Sequence, residues 1–130
     1  MDCKRAFDEA KGNLEEAKEI IKKRGLAKAE KREGRETGAG FLEAYTHAGR
    51  IGVLLELRAE TDFVTRNEKF KTLAHEIAMH IAAAAPETKE ELVAQPFIKD
   101  EKISVGELVK RSIAEIGENI EVARFTRYEI

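Results

Sequence analysis

Arg50-Ile51-Gly52-Val53-Leu54-Leu55-Glu56-Leu57-Arg58-Ala59-Glu60 alternates, and the Thr61-Asp62-Phe63-Val64 that follows it does not. A strand points successive side chains to opposite faces. Ile51, Val53, Leu55, Leu57 and Ala59 therefore share one face. Gly52, Glu56, Arg58 and Glu60 share the other, where Leu54 is the one large apolar residue. One apolar face beside one largely solvated face is the pattern of an antiparallel sheet covered on one side. Upstream, Phe41–Thr46 is strand-like and His47-Ala48-Gly49 supplies turn chemistry, so the two strands predict a hairpin.

Downstream of Val64 the period lengthens. Phe70, Leu73, Ala74, Ile77, Ala78 and Ile81 mark one stripe of a helix that starts near Asn67 and ends before Pro86. Thr88 with Glu91 predicts a brief helical turn, and Gln95-Pro96-Phe97 reads as loop. Ser104 with Glu107 forms a capping box. The helix it opens carries Val105, Leu108, Val109, Ile113 and Ile116 on its apolar side and stops at Gly117. A last strand runs Asn119–Ile130. Its alternation is broken: Ile120 and Val122 share one face, Ala123 and Phe125 the other. A bulge and burial on both faces each account for that. The expected fold class is α+β, a three-stranded antiparallel sheet covered on one face by helices.

Before the hairpin the chain reads as helical. A first helix spans Asp2 to Ala10, with Ala6, Phe7 and Ala10 on its apolar side. Gly12-Asn13 makes a turn, and Asn13 with Glu16 caps a second helix carrying Leu14, Ala17, Ile20 and Ile21. Lys22, Lys23 and Arg24 suit its C-terminal dipole, and Gly25 ends it. Lys28–Glu36 is a charged linker, loosened toward residue 41 by Gly34, Gly38 and Gly40. The expected organisation is a helical module over 1–25, a linker over 26–40 and an α+β core over 41–130.

Composition narrows the class. The chain has 130 residues, 42% hydrophobic and 37% charged, too apolar for a disordered tail and too charged for a membrane protein. The longest apolar run, Ile77–Pro86, is interrupted by His80 and falls far short of the roughly 20 residues that span a bilayer. No cationic segment followed by an apolar one opens the chain, so no secretory signal is expected. Cys3 is the single cysteine, which suits a reducing compartment, and the cytoplasm is the expected location. Net charge is −2, from 23 Lys and Arg against 25 Asp and Glu. That balance argues against direct nucleic-acid binding. Lys22–Arg35 holds seven basic residues but also Glu30 and Glu33, the pattern of a solvated linker or of a contact with an acidic partner.

Catalytic and metal-binding constellations are weak. His75-Glu76 and His80 resemble a zinc-protease helix, but that motif needs histidines four apart, and five residues turn the second by about 500°. A small metal-dependent hydrolase therefore fails on spacing. Cys3 has no nearby histidine in sequence to activate it. Gly38-Ala39-Gly40 lacks the Gly-Lys-Ser/Thr ending of a phosphate loop, and a strand follows it rather than a helix. No metal, cofactor or catalytic group is expected.

Glu60-Thr61-Asp62-Phe63-Val64 stands out because it lies between two periods, as a strand-to-helix turn. Phe63 is either tucked under the following helix or exposed as a wedge, with Asp62 either a helix cap or a carboxylate presented to a partner.

The stretch Val53–Val64 resembles the signature of the bacterial elongation factor Ts family. Four other segments agree in order: Met1–Ala6 with Gly12-Asn13, Tyr45–Val53, Ala78–Ala83 with Gln95-Pro96-Phe97, and Ile116–Ile120 leading to Arg124-Phe125. The resemblance implies a guanine-nucleotide exchange factor for elongation factor Tu, a binding protein and not an enzyme. It implies that Thr61, Asp62, Phe63 and Val64 disturb the GTPase's magnesium site, with Phe63 as wedge. His47, Ile116, Gly117, Met1 and Lys4 match other family positions that touch the GTPase. The chain matches a short, single-core form. Its N-terminal module, of ubiquitin-associated type, lacks the first helix, and only eight residues separate Pro86 from Gln95 where other members carry a helical insertion. Single-core members pair as homodimers, so a homodimer is expected. The alternative is an interaction module that binds the GTPase or the ribosome without exchanging nucleotide.

Overall fold

In chain order the elements are β1 (Ala39–His47), β2 (Ile51–Ala59), α1 (Asp62–Thr65), α2 (Glu68–Ala84), α3 (Lys89–Ala94), β3 (Pro96–Phe97), β4 (Asp100–Ser104), α4 (Val105–Ile116) and β5 (Ile120–Glu129). The computed structural model describes residues 32–130. The two expected N-terminal helices, with Met1, Cys3 and Lys4, and the first part of the expected charged linker lie outside the described residues.

The alternating stretch is the central strand of a three-stranded antiparallel sheet, ordered β1-β2-β5. Val53, Leu55, Leu57 and Ala59 are buried, while Leu54 on the opposite face is 45% exposed. The hairpin closes where turn chemistry predicts it: the Arg50 N–H donates to the His47 carbonyl at 3.0 Å. Ala48 and Gly49 both have positive φ, 54° and 68°, the twist that suits a tight hairpin.

The α2 stripe Phe70, Leu73, Ala74, Ile77, Ala78 and Ile81 is buried against that sheet. Phe41 of β1 meets Phe70 edge-on, with ring centroids 6.3 Å apart. The Asn67 side chain accepts from the Lys69 N–H and caps the helix, and Pro86 follows its end. Thr88 caps α3, and Ser104 caps α4 by accepting from the Glu107 N–H at 3.1 Å. Gly117 ends α4 with φ 95° and its N–H on the Ile113 carbonyl.

Two features differ from, or decide between, the sequence readings. Arg124 lies opposite Glu56 and Val122 opposite Leu57, so Ala123 is an extra residue. This is a β-bulge, and it returns Phe125 to the face of Ile120 and Val122. Gln95-Pro96-Phe97 is not simply loop, because Pro96 pairs with Ser104 and Phe97 with Asp100 in a small ribbon. Two residues are too few to show a period, which is why no strand was legible there.

β1 begins at Ala39, two residues before the expected start, and the segment before it is tied to the sheet. The Asn119 side-chain amide donates to the Glu33 and Arg35 carbonyls at 3.0 and 2.7 Å. Arg58 Nε donates to the Thr37 carbonyl at 2.9 Å. Among the described residues no helix is long and apolar enough to cross a membrane.

Candidate functional site

The alternation of β2 ends at Ala59, and α1 begins three residues later. Thr61 is the cap: its Oγ1 accepts from the Val64 N–H at 3.4 Å. Asp62 therefore stands in the first turn rather than at the cap, where a carboxylate suits the helix dipole. Successive helical residues are turned by about 100°, and that rotation separates Phe63 from Val64. Val64 is 6% exposed and belongs to the core, whereas Phe63 is 84% exposed. Phe63 is not tucked under α2. An aromatic ring stands in solvent on a turn whose next residue is anchored inside.

The turn is braced from the start of β5. The Thr61 N–H donates to Glu118 Oε1 at 3.0 Å, and the Thr61 hydroxyl donates to Glu118 Oε2 at 2.8 Å. In return, the Asn119 N–H donates to Glu60 Oε2 at 2.7 Å. Arg35 lies 3.8 Å from the other Glu60 oxygen. These bonds sit just beyond Ala59–Ile120, the last pair of the β2–β5 ladder.

Ile116 and Gly117 thus share one end of the sheet with Thr61–Val64. His47 does not. It sits at the hairpin tip, separated from the turn by the nine residues of β2 at about 3.3 Å each. There the Tyr45 hydroxyl meets His47 Nδ1 at 3.3 Å.

The other histidines have separate surroundings. His75 is exposed on α2, facing Glu43 at 3.4 Å and the edge of Tyr45. His80 is wholly buried. Its Nδ1 accepts from the Ile98 N–H, so its Nε2 carries the proton toward Gln95 Oε1 at 2.8 Å. Burial lowers the His80 pKa, and the Gln95 hydrogen bond opposes that only in part. Among the described residues no group of three or more His, Cys, Asp or Glu side chains is placed to hold a metal ion. On the open face of the sheet, hydrogen bonds from Arg124 and then Arg58 hold the Glu56 carboxyl below its ordinary pKa. A groove between α3, α4 and β5, lined by Val93, Val109, Ile113 and Val122, contains none of residues 60–64.

Residues 60–130, which begin at this turn, match the family model described as elongation factor TS. The whole chain is 37% identical to elongation factor Ts of Alkaliphilus oremlandii, covering 81% of that protein. It is 40% identical over its whole length to the elongation factor Ts of Fervidobacterium nodosum, covering 89% of it. The chain belongs to the elongation factor Ts family. It is therefore similar to translation elongation factors throughout its length. The first match runs over 175 positions against a chain of 130 residues. Relatives hold residues inside that span which this chain lacks.

Glu118 and Asn119 are the residues that sequence reasoning missed. Each lies 59 or 57 positions from its partner, Glu60 or Thr61, and no local pattern announces such a pair. The one available signal was geometric: residues just outside paired strand ends must face each other.

Proposed function

We propose that the chain is a guanine-nucleotide exchange factor for elongation factor Tu. It acts by pressing the Thr61–Val64 turn against the GTPase and disturbing the groups that hold Mg²⁺ beside GDP. The observation that carries this reading is Phe63, 84% exposed beside a buried Val64. Burying an aromatic side chain yields about 1.5–3 kcal/mol, which corresponds to about ten- to a hundredfold in affinity. If that contact is available only when the magnesium site is open, it is spent on opening it. The ion neutralises phosphate charge, so its loss weakens GDP. Reciprocity then requires GDP with Mg²⁺ to weaken binding of this chain by the same factor.

In this reading Asp62 and Phe63 are the contacting residues, Thr61 caps the turn, and Val64 anchors it from inside. Ile116 and Gly117 extend the same surface. His47 makes a second contact at the far end of β2, and Met1 and Lys4 a third from the helical module over 1–25. The core over 41–130 pairs with a second copy, and the linker over 26–40 joins the parts in the cytoplasm. Binding rather than covalent chemistry does the work, with no cofactor and no nucleic acid contacted directly.

The test is release of fluorescent GDP from elongation factor Tu by the wild-type chain and by Phe63→Ala. Acceleration by the wild type that falls by about tenfold or more in the variant is expected. Binding of the GTPase without any acceleration would instead leave an interaction module.

A further inference from the structure

The reciprocal bonds between the two loops at one end of the sheet continue the β2–β5 ladder after its backbone pairing stops. Glu60 lies opposite Asn119 and Thr61 opposite Glu118, and each carboxylate accepts the N–H that a longer strand would have paired. The two arms differ in what they hold. Glu60, through the Asn119 N–H, holds the start of β5, and the Asn119 side chain in turn holds residues 33–35. Among the described residues Glu118 holds Thr61 alone, through its N–H and its hydroxyl.

Thr61 is the cap of a helix of four residues. One turn of helix does not sustain itself, because nucleation fixes several residues for a single hydrogen bond. The orientation of α1 therefore depends on what anchors it: Val64 and Thr65 buried on one side, and Thr61 on Glu118 at its start. The Thr61 hydroxyl donates to Glu118 and accepts from the Val64 N–H, so Glu118 also sets the rotamer that makes the cap. Phe63 lies between these fixed points.

We propose that Glu118 is a positioning residue for exchange: it clamps Thr61 and so aims Phe63. This rests on the exchange reading above. Glu118 touches neither nucleotide nor GTPase in this proposal. Its carboxylate follows Gly117 directly, so the clamp also makes one rigid surface of the Ile116-Gly117 turn and the Asp62-Phe63 turn. The partner then meets a wedge that needs no ordering on contact, which is how preorganisation raises affinity.

The experiment measures GDP release from elongation factor Tu with Glu118→Ala, Glu118→Gln, Phe63→Ala and the Phe63→Ala/Glu118→Ala pair. The amide exchange of Thr61 is measured by NMR in the wild type and in Glu118→Ala. Losing two charge-assisted bonds predicts release slowed by about tenfold in Glu118→Ala. Glu118→Gln, which keeps an acceptor for the Thr61 N–H, stays within about threefold of the wild type. In the Phe63→Ala background Glu118→Ala adds nothing, because the clamp acts through that ring. Wild-type rates in Glu118→Ala, or equal slowing in both backgrounds, would overturn the proposal. If the wild type itself releases no GDP, the exchange reading fails first. The clamp is then judged on Thr61 alone: its amide exchanges faster in Glu118→Ala if the clamp exists, and unchanged protection removes it.

Discussion

Phe63 exposes 84% of its surface and Val64 exposes 6%, so neighbouring residues of one short turn carry opposite burdens. Truncating Phe63 removes almost no burial from this chain, and alanine is the better helix former. Phe63→Ala is therefore expected to change stability by no more than about 0.5 kcal/mol in urea unfolding while exchange collapses. A large loss of stability would place the ring in the core after all. His80 presents the reverse case, a polar group wholly inside. Its Nδ1 is committed to accepting from Ile98, so a second proton would face an N–H donor. Burial and this bond both favour the neutral ring, and its pKa lies below the ordinary 6.5. The unfolded chain then takes up the proton first as pH falls. The stability from neutral His80 is complete above 6.5 and is lost as pH drops below 6.5 toward the lowered value. An NMR titration of the His80 ring should show a midpoint below 6.5. A midpoint at or above it would mean that the ring is solvated.

At the scale of elements, what could be read was what repeats. The faces of β2 and the stripe of α2 each involve several residues obeying one period, and both are present as expected; of the box at Ser104–Glu107 the Ser104 cap is present. Features of one or two residues that obey neither a period nor a cap rule were not readable in that way. The bulge at Ala123 left two accounts open because a single inserted residue and two-sided burial break alternation identically. The β3–β4 ribbon had no period to show. The Glu118–Thr61 brace joins residues 57 positions apart, and nothing local encodes it, although the turn it braces was visible as the place where periods change. Gly117 shows the local kind of signal at its sharpest. Its φ of 95° is costly for any side chain, and an added Cβ would meet nothing within 4 Å. Gly117→Ala is thus a pure backbone test, expected to cost about 1 kcal/mol in urea unfolding. Gly117→Asn should cost less, because asparagine tolerates the left-handed region. Equal stability of all three chains would mean that α4 ends differently in solution.

At the scale of the whole chain, the described helices cover one face of the sheet, and among the described residues no helix covers the other. Glu56 with Arg58 and Arg124 makes a charged cluster there, but Leu42 and Leu54 stand beside it, 59% and 45% exposed. The register sets Ala44 opposite Leu54 and Leu42 opposite Glu56, so the two leucines lie side by side on neighbouring strands. A twofold axis through this face would bring each pair onto its copy, and an isologous contact needs only that self-complementarity. The proposed homodimer is therefore placed on the open face. Light scattering across a concentration series should give twice the chain mass for the wild type. Leu42→Lys with Leu54→Lys should give the single mass, with the fold kept, because neither side chain is in the core and like charges would meet across the axis. A wild type that stays at the single mass at working concentration would end the homodimer. A variant that still doubles would move the interface off the sheet, and the helical side, where α4 keeps Leu108 and Val109 only partly buried, would be its next location.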